Sequence, residues 1–146
     1  MSWGVQRPTG LPTIVNTVAG ADVTLTAASD ITGFTPASAL IAAAAGSWAY
    51  TVWVSAVIVM GATAPSAMVI KLKTAGATVL DTYTVPPASL VNNGILTIGV
   101  PLVGTSSGTL YFPSGDTPII TFNGTAQNST LKAQSRAVFS FTLVSD

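Results

Sequence analysis

The sequence predicts an all-β fold, an antiparallel β-sandwich or jelly roll of about eight or nine strands with an extended N-terminal arm. Apolar and polar residues alternate in several short segments, as they do in strands that bury one face. Glycine, proline and asparagine separate these segments at intervals typical of turns, and no segment carries a long helical period. The 146 residues predict one domain, residues 21–146, preceded by the arm, residues 1–20.

The stretch Ser47–Gly61, SWAYTVWVSAVIVMG, carries the strongest strand signal. Every second residue on one face is apolar, and these residues are Trp48, Tyr50, Val52, Val54, Ala56, Ile58 and Met60. The other face mixes small and polar residues with Trp53, Val57 and Val59. A strand in a two-layer sandwich needs only one apolar face, so the second face predicts contact with a neighbouring subunit.

A membrane helix is the competing interpretation of this region, because residues 39–62 exceed the roughly 20 apolar residues that a span needs. Serine and threonine lie near its middle, however, and its second half is rich in β-branched residues. Arg7 and Lys71 are too distant to anchor the ends of a span. The strand is therefore favoured, and no membrane partner is expected.

The arm contains Trp3, Pro8 and Pro12 in an irregular pattern. Proline fixes φ and cannot donate to a β-ladder, so two interpretations fit these residues. One is an extended arm that lies across a neighbouring subunit, and the other is a partly ordered terminus.

Further strands are predicted at residues 22–27, 67–73, 77–85, 95–100, 108–112, 117–122 and 136–144. Residues 40–46, LIAAAAG, predict a helical turn or a loop. Asn92, Asn93 and Gly94 predict a turn, because asparagine and glycine tolerate positive φ. Pro101 is expected to end the strand at 95–100.

Charged residues make up 7% of the chain, against about a quarter in typical proteins. Such a low charge is typical of proteins that pack against neighbours, which predicts an obligate assembly. The net charge is zero and no basic stripe exists, so nucleic-acid binding is not expected. The N-terminal MSWGVQRPTG lacks the pattern of a signal peptide, which predicts synthesis in a cytoplasm without export by a cleaved signal.

The chain contains no histidine, cysteine or glutamate. It therefore lacks the commonest general bases, thiol nucleophiles and metal ligands, so neither an enzyme nor a cofactor is expected. Asp30 and Asp116 lie in turn-rich segments, where a Ca²⁺ loop is one interpretation and an Asx turn is the favoured one. Lys71, Lys73 and Asp81 are interpreted as solvated or cross-strand charges.

The aromatic residues Trp48, Tyr50 and Trp53 allow a carbohydrate-stacking platform or packing in the core and at a subunit interface. Packing is favoured because aromatic side chains dominate both cores and interfaces. The candidate interface residues are Trp3, Trp53, Val57 and Val59.

The C-terminal half, from LTIGVPLV through GTLYFPSGDTPIITF to SRAVFSFTLVSD, resembles the jelly rolls of the tumour-necrosis-factor and complement-globular-head type. The likeness lies in a late strand after the Gly115–Asp116 turn and in a last strand that contains Phe139, Ser140 and Phe141. The low charge, the small size and the richness in alanine, threonine, glycine and valine also resemble bacteriophage head-decoration (cement) proteins.

The cement-protein resemblance implies a structural virion protein that binds the major capsid protein lattice as a homotrimer. It implies a location on the capsid surface after assembly in the host cytoplasm, and it transfers no catalytic residues. The alternative is a phage fibre-tip or receptor-binding module that recognises cell-surface glycan, which predicts an exposed aromatic patch.

Overall fold

The computed structural model describes residues 12–25, 29–35, 44–74, 78–110, 118–124 and 129–145. Within them the chain forms ten β-strands and a short 3₁₀ turn. The strands are β1 (Pro12–Val18), β2 (Val23–Leu25), β3 (Ile31–Phe34), β4 (Ala44–Met60), β5 (Met68–Thr74), β6 (Val79–Thr84), β7 (Ile95–Leu110), β8 (Pro118–Gly124), β9 (Ser129–Leu131) and β10 (Arg136–Ser145), with the 3₁₀ turn at Pro87–Ser89. No helix in these ranges is long and apolar enough to cross a membrane.

Two sheets pack face to face around one core. In sheet A the strand order is β1-β10-β4-β9-β2, and β7 pairs with the other side of β4. In sheet B the order is β3-β8-β5-β6. All pairings are antiparallel, and early strands alternate with late ones in both sheets, as in a jelly roll. The predicted fold class is confirmed.

Strand β4 is the long central strand of sheet A. β7 pairs with one side of it from Ala44 to Val59, whereas β10 and then β9 share the other side. Val57 lies at the gap between β10 and β9, where its N–H donates to Ser135 Oγ at 2.9 Å and its carbonyl accepts from the Lys132 N–H at 2.8 Å. The turn at 132–135 therefore closes the gap, and β9 and β10 act as one interrupted strand.

The alternation predicted for β4 is confirmed over its described side chains. The buried ones are Val52, Val54, Ala56, Ile58 and Met60. The side chains of Trp48 and Tyr50 lie outside the described part of the structure. The core also contains the inward side chains of β5, β8 and β10, namely Met68, Ile70, Leu72, Ile120, Phe122, Ala137, Phe139 and Phe141.

Strand β7 runs through Pro101, so the prediction that this proline ends a strand is wrong. The Val103 N–H points away from β4, because it donates to the carboxylate of Asp81 on β6 at 2.9 Å. The N–H and C=O groups of successive residues point to opposite sides of a strand. The nitrogen of Pro101, two residues before Val103, therefore also faces away from β4. The missing N–H therefore removes no hydrogen bond between β4 and β7, and the segments predicted at 95–100 and 108–112 belong to one strand.

The N-terminal arm differs from the prediction over residues 12–18, which form β1 and pair with β10 at the edge of sheet A. Proline at the first position of an edge strand is tolerated, so Pro12 does not oppose this pairing. Residues 1–11 lie outside the described part, and the arm stays a prediction there. Strand β4 begins at Ala44, so the end of the segment 40–46 is strand rather than a helical turn or a loop.

The turn predicted at residues 92–94 is confirmed. Asn93 has a φ of 55°, in the left-handed region that asparagine tolerates. Its N–H donates to the Gly61 carbonyl at 2.8 Å, and the Ala64 N–H donates to Asn92 Oδ1 at 2.8 Å. These bonds hold the turn before β7 against the loop after β4.

Candidate assembly surface

The outer face of sheet A, on the side away from sheet B, exposes large apolar side chains among threonine and serine residues. Its large exposed apolar residues are Ile14, Val18, Trp53, Ile95 and Val103, each between 48% and 71% exposed. Among the described strand residues of this face, Arg136 is the one that carries a charge. This surface is called the apolar face below.

The strand register places apolar side chains of neighbouring strands side by side around Trp53. Trp53 lies between Pro101 of β7 and Val138 of β10. The neighbouring row has Val103 and Ile14 at its two ends, with Thr51 and Ser140 between them. Contiguous exposed apolar patches of this kind mark interaction sites in soluble proteins.

Trp53 lies along the surface of the sheet. Its Nε1–H donates to Ser55 Oγ at 3.1 Å. A Cβ at Gly99 would lie 3.4 Å from Trp53 Cζ2, so the glycine leaves room for the indole against the backbone of β7. Because the polar N–H is already bonded within the chain, the exposed part of the ring is apolar and suits a dry contact.

The candidate interface residues are placed as follows. Trp53, Val57 and Val59 all lie on the apolar face, with Trp53 exposed and the two valines partly buried. Trp3 lies outside the described residues. The role of these residues at an interface stays a prediction.

Four exposed members of the apolar face were not predicted from the sequence, namely Ile14, Val18, Ile95 and Val103. The first two belong to the segment that was assigned to the arm. For β7 a signal existed, because residues 95–103 are apolar or small at most odd and even positions alike. The same pattern identified the second face of β4.

The outer face of sheet B exposes Val79 and contains a charged cluster. Asp30 accepts hydrogen bonds from Lys73 Nζ at 2.6 Å, Lys71 Nζ at 3.1 Å and Asn123 Nδ2 at 2.9 Å. These donors, with Lys73 the largest cause, hold the pKa of the Asp30 carboxyl well below its ordinary value of 3.8. The two outer surfaces of the sandwich therefore differ in kind.

This cluster corrects two expectations. Asp30 bonds to side chains of β5 and β8 and does not form the favoured Asx turn, because β3, β8 and β5 are neighbours in sheet B. Lys71 and Lys73 pair with Asp30 and not with Asp81. The Asp81 carboxylate instead accepts the N–H groups of Val103 at 2.9 Å and of its neighbour Thr82 at 2.8 Å.

The described residues include no group of three or more histidine, cysteine, aspartate or glutamate side chains that could hold a metal ion. Asp116, the other candidate for a Ca²⁺ loop, lies outside these residues. The expectations of no cofactor and no enzymatic activity stay predictions.

No family model matches the chain, and no curated protein matches it. Among solved structures it is similar to the PRD1 vertex protein P5, with 11% identity over 94% of this chain and 99% of that chain and a TM-score of 0.48. For Eiger TNF from S. frugiperda the identity is 10%, the coverage is 88% of this chain and 91% of that chain, and the TM-score is 0.40. For the disulfide-linked pili of Bacillus endospore appendages the identity is 15%, the coverage is 97% of this chain and 99% of that chain, and the TM-score is 0.37.

These likenesses concern the jelly-roll fold. The fold is established by the chain's own strand order and pairing, and no specific family is established. At these identities and TM-scores the likeness gives no conclusion about activity or partners.

Proposed function

We propose that this chain is a structural virion protein that decorates or cements a bacteriophage capsid. It binds the major capsid protein lattice as a homo-oligomer, with a homotrimer as the expected state. The observation that carries the proposal is the apolar face of sheet A, which exposes large apolar side chains on β1, β4 and β7 and is almost without charge.

An uncovered apolar face is unfavourable for a subunit that works alone. Complete burial of a valine or isoleucine side chain contributes about 1.5–3 kcal/mol, so Ile95 and Val103, both more than half exposed, gain on the order of 1 kcal/mol each when covered. A net charge of zero also removes the repulsion that keeps free proteins apart. Both features favour a subunit that is covered in its working state.

The difference between the two faces gives the orientation of the bound subunit. Sheet B carries the bonded charges of Asp30, Lys71 and Lys73, which are compatible with water. The outer face of sheet A carries the exposed apolar side chains whose burial is favourable. In the proposed assembly sheet A therefore faces capsid or neighbouring subunits, and sheet B faces solvent.

Purified virions from cells that carry this gene test the assignment. We expect mass spectrometry to find the chain at a constant copy number relative to the major capsid protein through successive density gradients. Absence of the chain from virions, or a copy number that falls at each purification step, would contradict the proposal.

Lysine substitutions test which face docks. We expect Val103→Lys and Trp53→Lys to abolish binding to capsids that lack the protein, because a charge desolvated in an apolar contact is costly. Thr84→Lys is the matched control, since Thr84 is exposed on the outer face of sheet B. All three variants should keep the β-rich circular dichroism spectrum. Equal binding by Val103→Lys and Thr84→Lys would show that the apolar face does not dock.

A glycan-binding fibre or receptor module is the second candidate, favoured by the exposed indole of Trp53. Aromatic rings that bind sugars stack on the pyranose face, and Trp53 lies along the sheet in a position that allows this contact. A glycan array distinguishes the candidates. Binding that is lost in Trp53→Lys and retained in Val103→Lys would support the glycan module over the capsid protein.

A further inference from the structure

Strands β7 and β1 lie at edges of sheet A that differ in protection. At the β7 edge the Asp81 carboxylate accepts the Val103 N–H, and strand β6 lies so close that a Cβ at Gly104 would be 2.8 Å from Leu80 Cβ. At the β1 edge no described residue pairs beyond β1. An edge without a cover presents free backbone groups to any strand of suitable length.

The groups at the β1 edge follow from the hydrogen bonds to β10. The Ala19 N–H donates to the Ser135 carbonyl at 2.9 Å, so the odd-numbered residues of this strand direct their backbone toward β10. Backbone direction alternates along a strand, so Ile14, Asn16 and Val18 direct N–H and C=O away from the sheet. The side chains of these same three residues are exposed on the apolar face.

Strand β1 also lacks the devices that usually prevent edge pairing. Its sequence PTIVNTV has no charge and is rich in β-branched residues. Its register with β10 runs from Pro12 to Val18 without a bulge. Lysine, bulges and inward charges are the common means of blocking an edge, and β1 has only the proline at its first position.

The β1 edge, which no described residue pairs, is self-complementary under a two-fold axis through Asn16. In an antiparallel pair of β1 strands with this centre, Asn16 faces Asn16 of the second copy, and Ile14 faces Val18 of the second copy. Each facing pair exchanges two backbone hydrogen bonds. On the apolar face an amide then lies beside an amide, and isoleucine lies beside valine, which are favourable cross-strand pairs.

We infer that β1 pairs antiparallel with β1 of a second copy, in the register that places Asn16 at the two-fold axis. The contact extends sheet A and its apolar face across two subunits without covering that face. An isologous two-fold contact at an edge is compatible with a three-fold contact elsewhere, and together they extend an assembly in two dimensions. The inference does not depend on capsid binding.

Single-cysteine variants of the full chain test both the partner and the register, because the natural sequence has no cysteine. Facing residues of a hydrogen-bonded antiparallel pair have Cα atoms about 5.5 Å apart, within the range of roughly 4.4–6.8 Å that a disulfide bridges. We expect Asn16→Cys to form a covalent dimer under a mild oxidant. We expect Ile14→Cys and Val18→Cys to cross-link when mixed, and each to stay at background alone. Thr84→Cys, exposed on β6, measures the background from random collisions.

A proline variant separates pairing from folding. The Asn16 N–H faces the free edge, so Asn16→Pro removes no β1–β10 hydrogen bond but does block the inferred contact. Adding this substitution to Ile14→Cys and Val18→Cys should abolish their mixed cross-link while the circular dichroism spectrum is unchanged. Cross-linking of Asn16→Cys at the level of Thr84→Cys overturns the inference. Cross-linking of Ile14→Cys alone as strong as the mixture overturns the register.

Discussion

Gly33→Ala is expected to lower the free energy of unfolding by about 3 kcal/mol, the upper part of the range for overpacked cores. Gly33 lies at the irregularity of β3, where the register with β8 shifts between Thr32 and Phe34. A Cβ at this position would meet the ring of Phe122, at 2.7 Å from Cδ1, and would lie 2.9 Å from Leu131 Cδ2. Both side chains are fully buried, so neither moves aside without disturbing the core.

The disturbance would extend beyond Phe122, because its ring packs against Phe34 with ring centroids 6.0 Å apart. Urea unfolding followed by tryptophan fluorescence measures the effect. Gly99→Ala is the control, since its Cβ would meet only Trp53 Cζ2 at 3.4 Å on an exposed face. That variant should stay within about 0.5 kcal/mol of the natural chain, and equal losses in both variants would contradict the packing argument.

The sequence predicted the fold well where burial imposes a period of two. Strand β4 shows this, since its buried residues Val52, Val54, Ala56, Ile58 and Met60 are the ones that the alternation selected. The turn at Asn93 was predictable for another local reason, because few residue types tolerate its positive φ. Both signals depend on neighbours in sequence and need no knowledge of which strands pair.

Features that depend on strand pairing were not predictable. Whether Pro101 ends a strand depends on the edge that its nitrogen faces, and only the sheet order determines that edge. Asp30 lies 41 and 43 residues before the lysines that bond it, so a local Asx turn was the natural expectation. For the apolar face, the sequence indicated the residues that β4 contributes. The residues that β1 contributes could not be predicted without knowing that β1 joins sheet A.

Asp30→Asn is expected to lower the free energy of unfolding by about 2 kcal/mol at neutral pH. The carboxylate is the shared partner of Lys71 and Lys73, whose side chains are 25% and 14% exposed in the folded protein. An amide keeps the shape but cannot neutralise the two ammonium groups, so part-buried positive charge loses its partner. Urea unfolding of both proteins from pH 2 to pH 7 measures the difference.

The pH dependence of that difference has a defined sign. Above the ordinary pKa of 3.8 the Asp30 carboxyl is ionised in both the folded and the unfolded chain, so the stabilisation is fully present. The folded pKa is lower, mainly because of the Lys73 hydrogen bond and then that of Asn123. As the pH falls below about 4, the unfolded chain binds the proton first. The stability advantage of the natural chain over Asp30→Asn therefore shrinks as the pH approaches the folded pKa.

Asp22→Asn is the matched control, because Asp22 is bonded by one lysine, Lys132 at 2.7 Å, and by the Ala133 N–H at 2.9 Å. These bonds, with that of Lys132 the larger cause, also lower the pKa of Asp22, but its side chain is 47% exposed and solvent screens the pair. The loss of unfolding free energy in Asp22→Asn should therefore be smaller than in Asp30→Asn. It should likewise shrink as the pH falls. Equal losses in the two variants, or an Asp30→Asn difference that grows on acidification, would show that the cluster on sheet B does not stabilise the fold through charge.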